Sequence, residues 1–299
     1  MAQLTRAQLR STIAAMLDYP DDAGTDYRTN LDRWLDIGQR YVWEQHPWYE
    51  RVATYVLSTI APYVTGTVDF TLGNTGITGT GTTWTAGMTG RKITTAYGNP
   101  WYIFTRTGAG TGTLAQAYAE ASVTGSGYSI FCDEYDLPTD CEVVVDVSCF
   151  SSFYAGILRA MTGADLDAAA FVHGAVGTPL IYGMTPPTTA GVRRIRLYPI
   201  PDNVYRIRFT YLKACTDFAD DAAVSVLDVR KERALILAAC LEAQRAGDAR
   251  MVTSQGDVDG AVLDAWRQEA QQQPISVRRG GLRGRRGWTL WGSNQLGST

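Results

Sequence analysis

Arginine and tryptophan crowd one end of this 299-residue chain. Residues 278–299 read RRGGLRGRRGWTLWGSNQLGST, with Arg278, Arg279, Arg283, Arg285 and Arg286, then Trp288 and Trp291, and no Asp or Glu. The whole chain carries −3, so the five arginines of this segment leave residues 1–277 at −8. Glycines at 280, 281, 284 and 287 disfavour a helix, each costing about 1 kcal/mol relative to alanine. Arg and Trp dominate interface hot spots, so the segment reads as a docking arm. The same residues allow a second reading, a nucleic-acid-binding tail whose arginines meet phosphate and whose indoles stack on bases.

Side chains able to catalyse a reaction or hold a metal are sparse. Histidine occurs only at 46 and 173. His46 is expected at a helix end beside Pro47, where an imidazole can meet the last carbonyls, and His173 in a Gly/Ala-rich loop. Neither has a partner at metal-ligand spacing, and no G-x-S-x-G elbow presents a serine. The glycine-rich run 73–90 lacks the P-loop lysine, because Lys92 stands between Arg91 and Ile93 in a stretch of strands and turns. Asp257-Val258-Asp259-Gly260 opens like a calcium loop, but no bidentate glutamate follows at the required distance. The acidic pairs Asp133-Glu134 and Asp220-Asp221 read as solvated loops. The five cysteines, at 132, 141, 149, 215 and 240, are odd in number with no C-x-x-C, which points to reduced thiols. The reading is a non-enzymatic chain with no cofactor and no metal.

The elements that would position the arm follow from composition and period. Hydrophobic residues make up 45% and charged residues 19%, the profile of a soluble globular chain. No apolar run approaches the roughly 20 residues of a membrane span. The start MAQLTRAQLR lacks a signal-peptide core, so folding in the cytoplasm of the maker is expected. The basic residues are 24 Arg against three Lys, a preference that suits interface ion pairs and that a high-GC genome would equally produce.

Residues 1–60 are assigned to an N-terminal helical pair. Thr5 and Gln8 form a capping box, and Leu9, Ile13, Met16 and Leu17 share one face. Thr29 or Asn30 is expected to cap the second helix, which carries Leu31, Trp34, Leu35, Tyr41 and Val42 and stops at Pro47. Residues 61–131 form a Thr/Gly-rich insert; positions 65–127 hold 17 Thr, 13 Gly and only five charges, as short strands and turns demand. Trp84 and Trp101 in this insert allow a further reading, a carbohydrate-binding or tail-fibre module that stacks on sugars, although Trp84 suits a barrel core better. Residues 132–215 form a second β region. Its clearest expected feature is a hairpin pairing 192–198 with 204–212, in which Tyr205, Ile207, Phe209 and Tyr211 share one face and Arg206, Arg208 and Thr210 the other. Residues 216–274 return to helices, capped by Asp228 and Asp257, with Gly247 and Pro274 past their ends. Residues 275–299 are the basic arm. The expected fold class is α+β. A helical base from the N- and C-terminal helix pairs carries an inserted small antiparallel β-barrel or sandwich and a second β-sheet region, with an extended C-terminal arm.

Four segments, in this order, resemble the head-to-tail adaptor (connector) proteins of tailed bacteriophages. WEQHPW at 43–48 is similar to the Pro-Trp close of the family's opening helices. GITGTGTTWTAGMTGRKI at 76–93 resembles a β module of phage neck and tail proteins, and YSIFCDEYDLPTDC at 128–141 its exit strand and continuation. RIRLYPIPDNVYRIRFTYLK at 194–213 resembles a hairpin with a Pro-x-Pro-Asp turn in the same proteins. The resemblance implies a structural virion protein of the head–tail neck. It implies a homo-oligomeric ring of twelve copies between portal protein and tail nozzle or tail tube protein. Genomic DNA would pass through the channel of that ring during genome ejection without specific binding, and no membrane is involved. The resemblance also implies that a C-terminal arm binds the portal, here through Arg278, Arg279, Arg283, Arg285, Arg286, Trp288 and Trp291.

Overall fold

Alternating short strands and four amphipathic helices resolve into three separate apolar cores in the computed structural model, which describes residues 2–18, 25–95, 101–150, 155–173, 175–246 and 253–272. Helix α1 (Arg6–Met16) starts at the expected Thr5/Gln8 capping box. Helix α2 (Thr25–Gln45) begins four residues before Thr29, with Asp26 in its first turn, where a carboxylate favours the positive helix end. A 3-10 turn, Tyr49–Arg51, follows Pro47 and leads into strand β1 (Val52–Ser58), which lies within the span assigned to the helical pair.

The Thr/Gly-rich segment supplies β2 (Thr67–Phe70), β3 (Gly76–Thr80), β4 (Lys92–Thr95), β5 (Tyr102–Arg106), β6 (Thr111–Leu114), β7 (Val123–Ser126) and β8 (Tyr128–Phe131). They form one antiparallel sheet in the order β7-β2-β3-β6-β5-β4-β8. Its outermost strands, β7 and β8, are separated in the chain by Gly127 alone, so the sheet curls back toward itself as a half-barrel. Glycine is required at the rim: Gly66 has φ +85°, and a Cβ there would meet the Thr80 carbonyl oxygen at 2.5 Å. The core holds Val68, Phe70, Ile77, Trp84, Met88, Ile93, Phe104 and Ile130.

Nine further strands and a helix follow. They are β9 (Glu134–Asp136), β10 (Cys141–Phe150), β11 (Ala155–Ile157), β12 (Arg159–Met161), α3 (Gly163–His173), β13 (Val176–Gly177), β14 (Ile181–Thr185), β15 (Arg194–Tyr198), β16 (Ile200–Pro201) and β17 (Arg206–Lys213). Two four-stranded sheets result, β1-β17-β10-β11 and β12-β14-β15-β9, and both contribute side chains to the third core. The expected hairpin between 192–198 and 204–212 does not form. β15 is flanked by β14 and β9, and β17 by β1 and β10. The intervening β16 pairs with β13 and carries the chain from one sheet to the other. The physical reason is that both strands have an apolar face to bury. Ile195 and Leu197 enter the core from one sheet and Ile207, Phe209 and Tyr211 from the other, meeting across it rather than side by side. The alternation within 205–211 is as expected, with Arg206 and Arg208 exposed.

Helices α4 (Glu232–Arg245) and α5 (Gln255–Gln272) close the described chain. Asp228 caps a 3-10 turn that runs into α4. Asp257 is not the cap of α5. Ser254 is, and Asp257 reaches back to the Ser254 backbone N–H (2.9 Å) and hydroxyl (2.7 Å), a reciprocal capping arrangement. The helical core draws on α1, α2, α4 and α5, including Leu9, Ile13, Leu35, Trp48, Leu235, Ala239 and Val258. At the α2–α4 crossing a Cβ on Gly38 would lie 2.8 Å from the Ala239 nitrogen, so only glycine allows this approach. Gly247 and Pro274, expected past the ends of the closing helices, lie outside the described residues.

Candidate assembly surfaces and the junctions that hold them

The arm residues Arg278, Arg279, Arg283, Arg285, Arg286, Trp288 and Trp291 lie outside the described residues, but its root does not. The last turns of α5 are clamped onto the end of α2. Glu269 accepts the Tyr49 backbone N–H at 2.6 Å, and Trp266 stacks on His46 with centroids 5.6 Å apart. Lys231, only 3% exposed, reaches both Glu50 oxygens at 2.7 Å and Glu269 at 2.8 Å, and lies 4.7 Å from the centre of the Trp48 ring. Cation and indole attract electrostatically, most strongly where water is excluded. Burial lowers the His46 pKa below its ordinary value, and the nearby Glu269 charge opposes this only in part. The imidazole does not serve the end of α2. Arg51 does so, donating to the carbonyls of Trp43 (3.0 Å) and Glu44 (3.3 Å) while it pairs with Glu142 on β10 (3.1 Å). A bidentate, permanently charged guanidinium satisfies several orphan carbonyls at once.

A second junction ties the half-barrel to the sheets beyond it. Lys92 on β4 contacts Asp133 at 2.9 Å and Glu134 at 2.7 Å, and sits 4.1 Å from the centre of the Trp101 ring. Arg196 also binds Asp133, at 2.8 Å, and pairs with Asp167 of α3. Arg194 holds Glu134 at 3.0 Å and Asp136 at 3.2 Å. Asp133 is 2% exposed, which corrects the solvated-loop reading of the Asp133-Glu134 pair. A buried carboxylate persists only when paired, and its partners lie 41 and 63 residues away, beyond any local pattern. Burial pushes the Glu134 carboxyl up, but Lys92, Arg194 and Arg196 bring it below the ordinary range.

The other candidate residues are structural too. Asp220 accepts the N–H groups of Ala222 and Ala223 in a turn, and Asp221, though half-exposed, pairs with Arg10 and Arg28. A cleft of about 620 Å³ is lined by Arg6, Asp32, Arg33, Asp36, Arg40 and Asp217, and each of its carboxylates already pairs with an arginine. His173 ends α3 rather than lying in a loop. Burial pushes the thiols of Cys132, Cys141 and Cys149 upward and those of Cys215 and Cys240 to about 11, which favours the protonated thiol. Among the described residues, no three His, Cys, Asp or Glu side chains gather where they could hold a metal ion, and no helix is long and apolar enough to cross a membrane. Trp84 is 2% exposed and donates to the Tyr128 hydroxyl at 2.8 Å, so it is a core anchor and not a sugar platform.

One exposed apolar surface stands out, the outer face of the sheet β1-β17-β10-β11. Val52, Val56, Val143, Val145, Phe150 and Ile157 are all exposed there, with the Arg208 guanidinium 5.1 Å from the centre of the Phe150 ring. The sequence reading missed β1. Its signal was the uncharged, β-branched run VATYVLS that follows the 3-10 turn.

The four segments of the resemblance now have physical roles. WEQHPW supplies Trp43, whose indole donates to the Lys213 carbonyl at 2.9 Å, and the Trp48 ring beside Lys231. The β module supplies Trp84 and Met88 to the half-barrel core. Its exit strand passes Tyr128 and Ile130 to that core, pivots at Asp133, and delivers Tyr135 and Leu137 to the next. The family model described as SU10 adaptor protein matches residues 113–287, from β6 through α5 and across all five arm arginines. No curated protein matches the chain. With more than half of its length matched, the chain belongs to the SU10 adaptor protein family, a family of phage head-to-tail adaptors.

Proposed function

We propose that this chain is a structural virion protein that forms an adaptor ring between portal and tail and lines part of the DNA channel. The observation that carries the reading is the family match, which runs unbroken from the β region to the arm arginines. The chain acts by assembly and not by catalysis. Its buried lysines and arginines are committed to internal ion pairs, and burial favours its thiols in the protonated form. The arm, anchored at the Lys231–Glu269–Trp48 junction, extends to the portal, where Arg278, Arg279, Arg283, Arg285, Arg286, Trp288 and Trp291 supply charge and aromatic contact. The −8 of residues 1–277 keeps the channel wall from gripping DNA phosphate, so the genome passes without specific binding.

The test is the native mass of the full chain, alone and mixed with its cognate portal protein. A monomer that becomes a ring of about twelve copies on the portal, and fails to do so when the five arm arginines are replaced by glutamine, supports the reading. No binding to the portal overturns it. Duplex DNA binding by the free chain, with log K falling against log salt at a slope of about −4.5, would instead favour the nucleic-acid tail.

A further inference from the structure

Among the described residues, strand β1 is an edge strand without the features that normally protect an edge. Its seven residues, VATYVLS, contain no charge and no proline. Its register with β17 is continuous over all seven pairs, with no bulge to twist it away. Such an edge presents a row of free backbone donors and acceptors and is a template for another chain. The exposed apolar face of the same sheet adjoins it, and Tyr55, 41% exposed, stacks on Phe209 at the open edge of the core. The charges on this face are Arg206 and Arg208 against Asp146, with Glu142 already held by Arg51.

We propose that the free edge of β1 and the outer face of its sheet form the contact between neighbouring copies of this chain. The proposal rests on the ring reading above and names the surface that closes the ring. Charge selects the occupant: the face is basic, whereas residues 1–277 carry −8, so a second copy presents the opposite sign. Size selects the strength. Four strands about 4.8 Å apart and seven residues of about 3.4 Å cover roughly 450 Å² in projection. A stable interface buries about 800 Å² per partner. The face is therefore too small for a permanent dimer. It suffices once copies are held side by side on a portal, where the second contact becomes intramolecular.

The test uses the full chain and a double variant, Val56→Glu with Ile157→Glu, which places negative charge on the basic face opposite an acidic copy. Both side chains are exposed, so circular dichroism and the thermal melt should be unchanged. Sedimentation equilibrium of the wild type should show a monomer that self-associates weakly at high concentration. The variant should lose that association by at least about tenfold, because it brings like charges together. On the portal, the wild type should fill cooperatively and the variant site by site, and amides of residues 52–58 should exchange more slowly only in the wild-type ring. A variant that self-associates and fills like the wild type overturns the proposal. So does a wild type that neither self-associates nor fills cooperatively. A wild type that self-associates through this face but ignores the portal supports the copy contact and sinks the adaptor reading.

Discussion

Lys92 and Lys231 are two of only three lysines in the chain, and each lies buried beside a tryptophan ring between two carboxylates. Their surroundings differ in charge topology. Around Lys92 the charges alternate in a line: Asp167, Arg196, Asp133, Lys92, Glu134, Arg194, Asp136. Every interior member has two partners, so the loss of Lys92 leaves each of its neighbours paired once. Around Lys231 a single cation holds Glu50 and Glu269 together. A line tolerates damage; a star with one centre does not. The first joins the half-barrel to the sheets, and the second joins the root of the arm to the helical core.

The largest effect is expected from Lys231→Met, which leaves two partly buried carboxylates facing each other. Urea unfolding should report a loss of about 3–5 kcal/mol, the range for breaking a buried pair by removing one partner. Lys92→Met should cost less, about 1–2 kcal/mol, because Asp133 keeps Arg196 and Glu134 keeps Arg194. Equal losses in the two variants would break the comparison.

The line should also show in the acid limb of stability. The folded Glu134 carboxyl titrates below its ordinary value, so the unfolded chain binds more protons as pH falls. Its contribution is complete above the unfolded pKa of about 4.3 and is lost as pH falls through the lower folded value. Lys92→Met should flatten that acid limb in stability measured from pH 6 to 3. An unchanged slope would place the pH dependence elsewhere.

The smallest effect belongs to His46, beside the star. Its folded pKa is lowered, so its contribution is complete above about 6.5 and declines as pH falls through the folded value. Replacing His46 with Phe keeps the stack on Trp266 and should remove a shallow slope in stability between pH 7 and 5. A slope that survives the replacement would assign it to another group.

These junctions mark the limit of what was legible in the sequence. The Thr5–Gln8 cap, the stop of α2 before Pro47 and the alternation from Tyr205 to Tyr211 all appear as read, because each depends on residues within one or two turns. The core role of Trp84 was legible from its place in the small Thr/Gly-rich barrel. The pairing of β15 with β17 was misread because adjacency in sequence is the usual guide to adjacency in a sheet. Here the apolar faces of the two strands are better buried across a core than along an edge. The Asp133-Glu134 pair was misread because two adjacent acids ordinarily face water.

By itself the sequence determined the class of elements, their order, the opening caps, the absence of long apolar spans, and the family to which the motifs point. These rest on local period, local hydrogen bonding and short-range motif order. Only the tertiary structure decided which charges are buried, which strand is left with a free edge, and what holds the root of the arm. Lys231 meets Glu50 across 181 residues of chain. Desolvation and ion pairing are set by the groups that packing brings together, and no local window of sequence contains both.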